Sequence, residues 1–334
     1  MPDPSWLQVY GFVLIGVALT VFAVQDGFDL GIGLLLPFVG RQEDKQVMID
    51  AIWPVWDGNE LWALIGGAAL FALFPTAFAT LLSVLYPVIV LLMLALLFRP
   101  VTFELWYHDA RARFWWEWSF FLTSLTITVV AGAAYGMALA GFPFTAPDRF
   151  SASLKAVLTP VPLLTVLLFI SAFLMHAGAY LVARADDPVR ALGLRVFARA
   201  WVAFAALVVI WFVAAMSVKH AWGRGQPWAF GIVAVVLTIL ARALAGRVGE
   251  RRLVYLSGLA IASLFPVIGA LQYPVVLANS YDPAANLTVT DGSPAYTFRL
   301  VTVLASVVLT IVAGYTIFVY RVFRHKVKAG EPAY

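Results

Sequence analysis

Long apolar runs recur from one end of this 334-residue chain to the other, and they decide most of what it can fold into. Candidate spans fall near residues 7–38, 53–74, 76–98, 115–141, 157–183, 200–218, 227–245, 252–278 and 297–320. Inside hydrocarbon a chain must satisfy its backbone polar groups internally, which leaves helices or closed barrels. Runs of roughly 20 apolar residues are helical spans, whereas a barrel would show short alternating segments. The chain is 63% apolar and 12% charged, with a mean hydropathy of +0.91, and no stretch is left over for a separate soluble domain. The expectation is an all-α polytopic membrane protein of about nine transmembrane helices. Residues 1–334 form a single transmembrane domain on this reading.

The charges orient it. With Pro75 read as a tight turn between the second and third spans, the connections alternate sides. Arg149, Lys155, Lys219, Arg224 and Arg299 fall on one side, and the rest of the 22 Lys and Arg fall on the other. Positive residues concentrate on the cytoplasmic side, so the N-terminus is expected to be periplasmic and the C-terminus cytoplasmic. Counting eight spans would invert the second half and mix the two sets. Trp6, Tyr10, Phe114, Trp115, Trp116, Trp118, Trp222, Trp228 and Tyr320 sit at span ends and read as interfacial belts. Met1–Trp6 has neither a basic n-region nor a small-residue cleavage site, so the first helix reads as retained.

Several function classes drop out. The basic residues flank the spans rather than forming a nucleic-acid surface. There is no cysteine, which removes disulfides, thiolate metal sites and Cys-linked haem. The four histidines lie at different expected depths and form no His-x-x-x-His pair, so no metal or haem site is expected from this chain alone.

What remains is a set of acids in unusual places. Carboxyl groups in spanning helices are costly and usually mark a pathway or a site. The stretch Trp53–Glu60 sets Asp57 and Glu60 at the mouth of the second span, and Gln25–Asp29 sets Asp26 and Asp29 in the first. Asp26 and Asp29 lie about 28–33 Å along the first helix, in its cytoplasmic half. The second span starts at that same side, so two helices bring acids to a similar depth. Residues three apart share a helix face, and like charges so placed in a low dielectric do not both ionise easily. Proton passage from the cytoplasm is one reading, with Asp29 and Asp57 foremost. Structural pairing with Arg41, Arg99 or Arg184 is the other. His176 lies about 12 Å from the cytoplasmic end of its span, as a relay, a cavity-lining group or a satisfied core histidine. Glu104 and Asp109 are expected to pair with Arg99 or Arg111.

Gln-Asp-Gly-Phe-Asp-Leu-Gly-Ile-Gly (25–33) and Trp-Asp-Gly-Asn-Glu-Leu-Trp (56–62) resemble the two signatures of subunit II of the cytochrome bd-type quinol oxidases, the cyanide-insensitive branch included. Further matches follow in order at 66–75, at Phe-Arg-Pro-Val-Thr-Phe-Glu (98–104), at His-Ala-Gly-Ala-Tyr-Leu (176–181) and at Tyr-Pro-Val-Val-Leu (273–277). The resemblance implies two four-helix bundles plus one peripheral helix in the bacterial inner membrane. It implies a haem-free subunit of a terminal oxidase that oxidises quinol and reduces O2 to water, supporting aerobic respiration and a proton gradient. Haem b and haem d, or b-type haems only, would sit in the partner subunit I, and a small single-helix accessory subunit is a further expected partner. This chain would stabilise the haem subunit, supply cytoplasmic protons and hold a structural quinone or phospholipid. Asp29 and Asp57 are then the proton-path residues, with Asp26 and Glu60 beside them. Arg99 and Glu104 are the candidates for ion pairing or lipid contact. A proton-coupled secondary transporter, and a scaffold whose acids only tie helices together, are the alternatives. Transporters usually place acids near the midplane and carry internal repeats, neither of which is evident here.

Overall fold

The computed structural model describes residues 4–146, 149–247 and 249–328. Met1–Asp3, part of the N-terminal stretch read above, and the tail beyond Lys328 lie outside the described residues, as does the side chain of Arg149. Helix α1 (Trp6–Leu35) opens with a capping box in which Ser5 and Gln8 satisfy each other's amides. It is apolar on all sides, and from Asp26 to Leu34 every residue is buried. That stretch is enclosed by its neighbours, whereas Val13 and Val17 in the first half of α1 are exposed.

Helix α2 (Gln42–Ile52) lies in the connection expected between the first and second spans. Its residues Val47–Ile52 are buried, and Lys45 Nζ meets Glu117 Oε2 at 2.6 Å. Burial raises the Asp50 carboxyl above its ordinary range, opposed by hydrogen bonds from Tyr107 and Gln46.

The second and third spans differ from the expected single turn at Pro75. Helix α3 (Trp56–Leu73) is followed by a short α4 (Pro75–Val84) bent 118° from it, and the third span is α5 (Tyr86–His108). The cause is the pair Pro75 and Pro87, each in the first turn of a new helix, where the missing N–H has no intrahelical partner to lose. A continuous apolar run carries no polar mark of such an elbow.

Helix α6 (Arg113–Ala140), α7 (Arg149–Val157), α8 (Pro160–Arg184) and α9 (Val189–Val218) follow. The expected loop 184–199 is a correction: helix resumes at Val189. Arg190, Arg195 and Arg199 extend the helix past the apolar run, because a charged helical end can stay in water without ending the helix. Helix α10 (Gly225–Ala243) leads to α11 (Glu250–Ala262) and α12 (Leu264–Gln272), which together make one broken span. A two-stranded antiparallel ribbon, β1 (Val275–Leu277) with β2 (Leu287–Thr288), precedes α13 (Ala295–Val322). Eight described helical units are long and apolar enough to cross a membrane, and the count is nine if the bent pair α3–α4 is taken as one span.

The centre of the molecule is α8, packed on α9, α6, α1 and α11. Close approach there needs glycine. A Cβ on Gly31 would lie 2.1 Å from the Phe173 carbonyl oxygen, and one on Gly136 would lie 2.3 Å from Pro162 Cα. At one end of the bundle Lys326 bridges Glu250 (2.7 Å) and Asp186 (3.3 Å), and Arg190 meets Glu250 at 2.5 Å. These pairs tie the end of α13 to the α8–α9 turn and the start of α11. At the opposite end Ser293 N and Oγ donate to the carbonyls of Leu73 and Ala72 at 2.8 Å each.

Candidate functional site

The C-terminal part of α1, the start of α3 and the middle of α5 enclose a polar cluster in an otherwise apolar bundle. Arg99 of α5 and Asp26 of α1 are both fully buried and form a two-bond ion pair: Nη1 to Oδ2 at 2.9 Å and Nη2 to Oδ1 at 2.7 Å. Nη1 also reaches Glu60 Oε2 of α3 at 3.4 Å. The planar guanidinium suits this geometry in a way that a lysine would not.

One turn along α1, Asp29 is equally buried but has no cation bonded to it. Asn59 Nδ2 donates to its Oδ2 at 2.7 Å, and the Tyr320 hydroxyl of α13 donates to Asn59 Oδ1 at 2.9 Å. Asp29, Asn59 and Tyr320 thus form a chain from the core toward the Arg321 end of α13. Asp26 and Arg99 are the charged neighbours of Asp29.

The expected residues are therefore not all in one place. Asp26, Asp29, Glu60 and Arg99 converge. Asp57 does not: its side chain is exposed at the first turn of α3, on the flank of the helix away from Asp29 and Asn59. A step of two residues turns an α-helix by about 200°, so Asp57 and Asn59 cannot share a face. Glu104 and Asp109 correct the reading above. Glu104 is exposed and meets His108 at 3.1 Å, Asp109 caps the Ala112 amide, and Arg99 is taken by Asp26. Tyr320, read as a belt residue, instead donates into the cluster. Asn59 and Tyr320 were missed. Asn59 lies inside the 56–62 stretch, but a neutral amide between Asp57 and Glu60 carries no mark of its own. Tyr320 is 261 positions away, with no local mark of the contact.

His176 lines a cleft of about 930 Å³ between α1, α8, α11 and α13. Its Nε2 donates to the Val24 carbonyl at 2.9 Å, and its Nδ1 faces Ser257 Oγ at 2.7 Å. Both ring nitrogens are engaged, so this residue does not fit a haem iron. His108 is committed to Glu104, and the described residues hold no group of three or more His, Cys, Asp or Glu placed for a metal.

A bundle of spanning helices around a buried carboxylate–guanidinium cluster defines the class: a multi-pass membrane subunit built to hold charge within the bilayer. The family model for cytochrome bd terminal oxidase subunit II matches residues 7–323. Cytochrome bd-I ubiquinol oxidase subunit 2 of Escherichia coli (strain K12) is 30% identical over 363 aligned residues, covering 96% of this chain and 95% of that protein. Cytochrome bd ubiquinol oxidase subunit 2 of Bacillus subtilis (strain 168) is 28% identical over 331, covering 96% and 97%. The solved bd oxidase of Geobacillus thermodenitrificans shares the fold at a TM-score of 0.80 and 17% identity, over 96% of this chain and 99% of that one. The chain belongs to the cytochrome bd terminal oxidase subunit II family. It is a multi-pass inner-membrane protein and the non-catalytic subunit II of a quinol:O2 oxidoreductase that supports aerobic respiration. The secondary-transporter alternative receives no support.

Proposed function

We propose that this chain supplies protons from the cytoplasm to a haem-bearing subunit I through the cluster enclosed by α1, α3 and α5. The observation that carries the reading is Asp29. It is a fully buried carboxyl bonded to an amide rather than to a cation. Such a group can take up or release a proton without breaking an ion pair. Asp26 is locked to Arg99 and serves as the fixed counter-charge. Glu60 is 15% exposed and lies at the edge of the cluster. Asp57, at the helix mouth, acts as the entry group.

The N-terminus is periplasmic and the C-terminus cytoplasmic in this proposal, as the side-to-side imbalance of Lys and Arg supports. Residues 1–334 act as a single transmembrane domain. Helices α1, α3, α5 and α6 form one bundle, and α8, α9, α10 and the broken α11–α12 span form the second. Helix α13, which buries only Phe298 and Val319 among its residues, is the peripheral ninth. The haems and the quinol-oxidising and O2-reducing chemistry lie in subunit I, which this chain stabilises.

The test is quinol-driven O2 consumption by the purified complex carrying Asp29→Asn or Asp57→Asn, with the haem absorption spectrum as the control for assembly. Turnover is expected to fall by about tenfold or more, a barrier increase of about 1.4 kcal/mol, with the spectrum intact. Full turnover in an assembled Asp29→Asn complex would remove the proton route.

A further inference from the structure

Helix α13 brings the Tyr320 hydroxyl to Asn59, yet little of its own packing within this chain holds it there. It buries only Phe298 and Val319 among its described residues. At its Arg321 end, the cleft of about 930 Å³ separates it from α8 and α11, and Thr316, Ile317, Tyr320 and Arg321 form the α13 wall of that cleft. Side-chain packing therefore does not fix the last turns of α13 from that side. Tyr320 stands in the last turn of the helix, which ends at Val322, so a tilt of that end moves its hydroxyl off Asn59.

What crosses the mouth of the cleft is the segment that follows. Residues 324–327 leave α13 and run as a strap over the α8–α9 turn and the first turn of α11. Val327 N donates to the Arg184 carbonyl at 2.8 Å, and Val327 forms a parallel β-bridge with Ala185. Arg184 and Arg251 donate to the strap carbonyls of His325 and Arg324. Lys326 Nζ meets Glu250 Oε2 of α11 at 2.7 Å and Asp186 Oδ1 of the α8–α9 turn at 3.3 Å, so one lysine joins α13 to both facing walls. Lys326 and Glu250 are each 32% exposed and Asp186 is 47% exposed, so water competes for these pairs and each contributes little alone. Arg190 holds Glu250 at 2.5 Å as well, so this acid keeps a partner when Lys326 leaves. The strap can open without stranding a buried charge.

We propose that Lys326 is a positioning residue for proton uptake. By closing the strap it holds the end of α13 in place, and so keeps the Tyr320 hydroxyl 2.9 Å from Asn59 Oδ1. Asn59 in turn presents its amide to Asp29 at 2.7 Å. With the strap released, Tyr320 leaves Asn59, the amide loses the partner that orients it, and the chain of hydrogen bonds to Asp29 is broken. Lys326 touches none of the groups that carry the proton and acts only through Tyr320. A surface ion pair with no such link would change stability slightly and leave uptake alone. The inference rests on the proton route at Asp29. Asp29→Asn tests that route and the strap variants test this coupling, so the two fail separately.

The experiment uses the whole oxidase complex, with haem absorbance to match assembly. Hydrogen exchange at the Val327 amide reads the strap directly. Lys326→Met is expected to speed that exchange by about fivefold, taking about 1 kcal/mol for the exposed pairs at tenfold per about 1.4 kcal/mol. Lys326→Glu sets a like charge against Glu250 and Asp186 and is expected to release the strap altogether. Its proton uptake, on mixing the fully reduced complex with O2, is expected to slow to the level of Tyr320→Phe, about two- to tenfold below wild type. Lys326→Glu combined with Tyr320→Phe is expected to be no slower than either alone, because both break the same link. Lys326→Arg is expected to keep wild-type uptake. Fast exchange at Val327 with uptake unchanged, slowing that multiplies with that of Tyr320→Phe, or wild-type exchange in Lys326→Met would overturn the proposal. If Lys326→Glu does not assemble, the same exchange and uptake measurements on Lys326→Met, with and without Tyr320→Phe, decide.

Discussion

Arg99 is the residue whose removal says most about how the cluster is held. Its guanidinium and the Asp26 carboxylate are both completely buried and joined by two bonds of 2.9 and 2.7 Å. Taking away one partner of such a pair leaves an uncompensated charge in a low dielectric, at a cost of about 3–5 kcal/mol. Replacing both partners with apolar groups removes the stranded charge and is often close to neutral. Arg99→Met alone should therefore destabilise the complex strongly, whereas Arg99→Met with Asp26→Leu should recover much of the loss. Recovery stays incomplete, because Glu60 also loses its 3.4 Å contact, though at 15% exposure it keeps some access to water. Arg99→Lys should fall between, keeping the charge and losing the second bond. The assay is the fraction of detergent-solubilised complex that stays associated through a temperature ramp, followed by size-exclusion chromatography and haem absorbance. A double variant no more robust than Arg99→Met would refute the reasoning, since the penalty would then not come from a stranded carboxylate.

Three further outcomes are expected. Tyr320→Phe removes the donor to Asn59 and should cost about 0.5–1.5 kcal/mol; the complex should assemble and turn over more slowly than wild type in the O2 assay, but faster than Asp29→Asn. Gly31→Ala drives a Cβ to 2.1 Å from the Phe173 carbonyl and should abolish assembly, whereas Gly67→Ala meets nothing within 4 Å and should express normally. Lys45→Met strands the buried Glu117 and should lower stability by about 3–5 kcal/mol, with Glu117→Gln in the same chain restoring most of it in the temperature ramp.

Much of this arrangement could be read from the chain. The apolar runs named nearly every span, because a helix in lipid has no other way to satisfy its backbone. Asp26, Asp29, Glu60 and Arg99 stood out because charges inside such runs are rare. The pairings did not follow. Glu104 stands five residues from Arg99 on the same helix, about 140° round it, so helix geometry alone argues against that pair. Whether Arg99 meets Asp26 depends on how α5 rotates against α1, which apolar residues on all sides of both helices leave unspecified. Asp57 and Asn59 were separable by helix geometry alone, yet which of them faces α1 is set by packing. Helix α2 was hidden for another reason: its mix of charged and apolar residues looks like a connection until its buried face has a partner. The α4 elbow was hidden because prolines in first turns start helices as readily as they break them.

The proton route is tested most directly by time-resolved proton uptake. The fully reduced complex, reconstituted in liposomes, is mixed with O2 while a pH-sensitive dye on the side bearing Arg321 reports uptake. Wild type and Asp29→Asn are compared at matched haem content. The account predicts that Asp29→Asn retains electron transfer and haem spectra while uptake from that side slows by about tenfold or more, equivalent to about 1.4 kcal/mol or more of added barrier. Uptake at the wild-type rate, from the same side, in a complex with all its haems would contradict it.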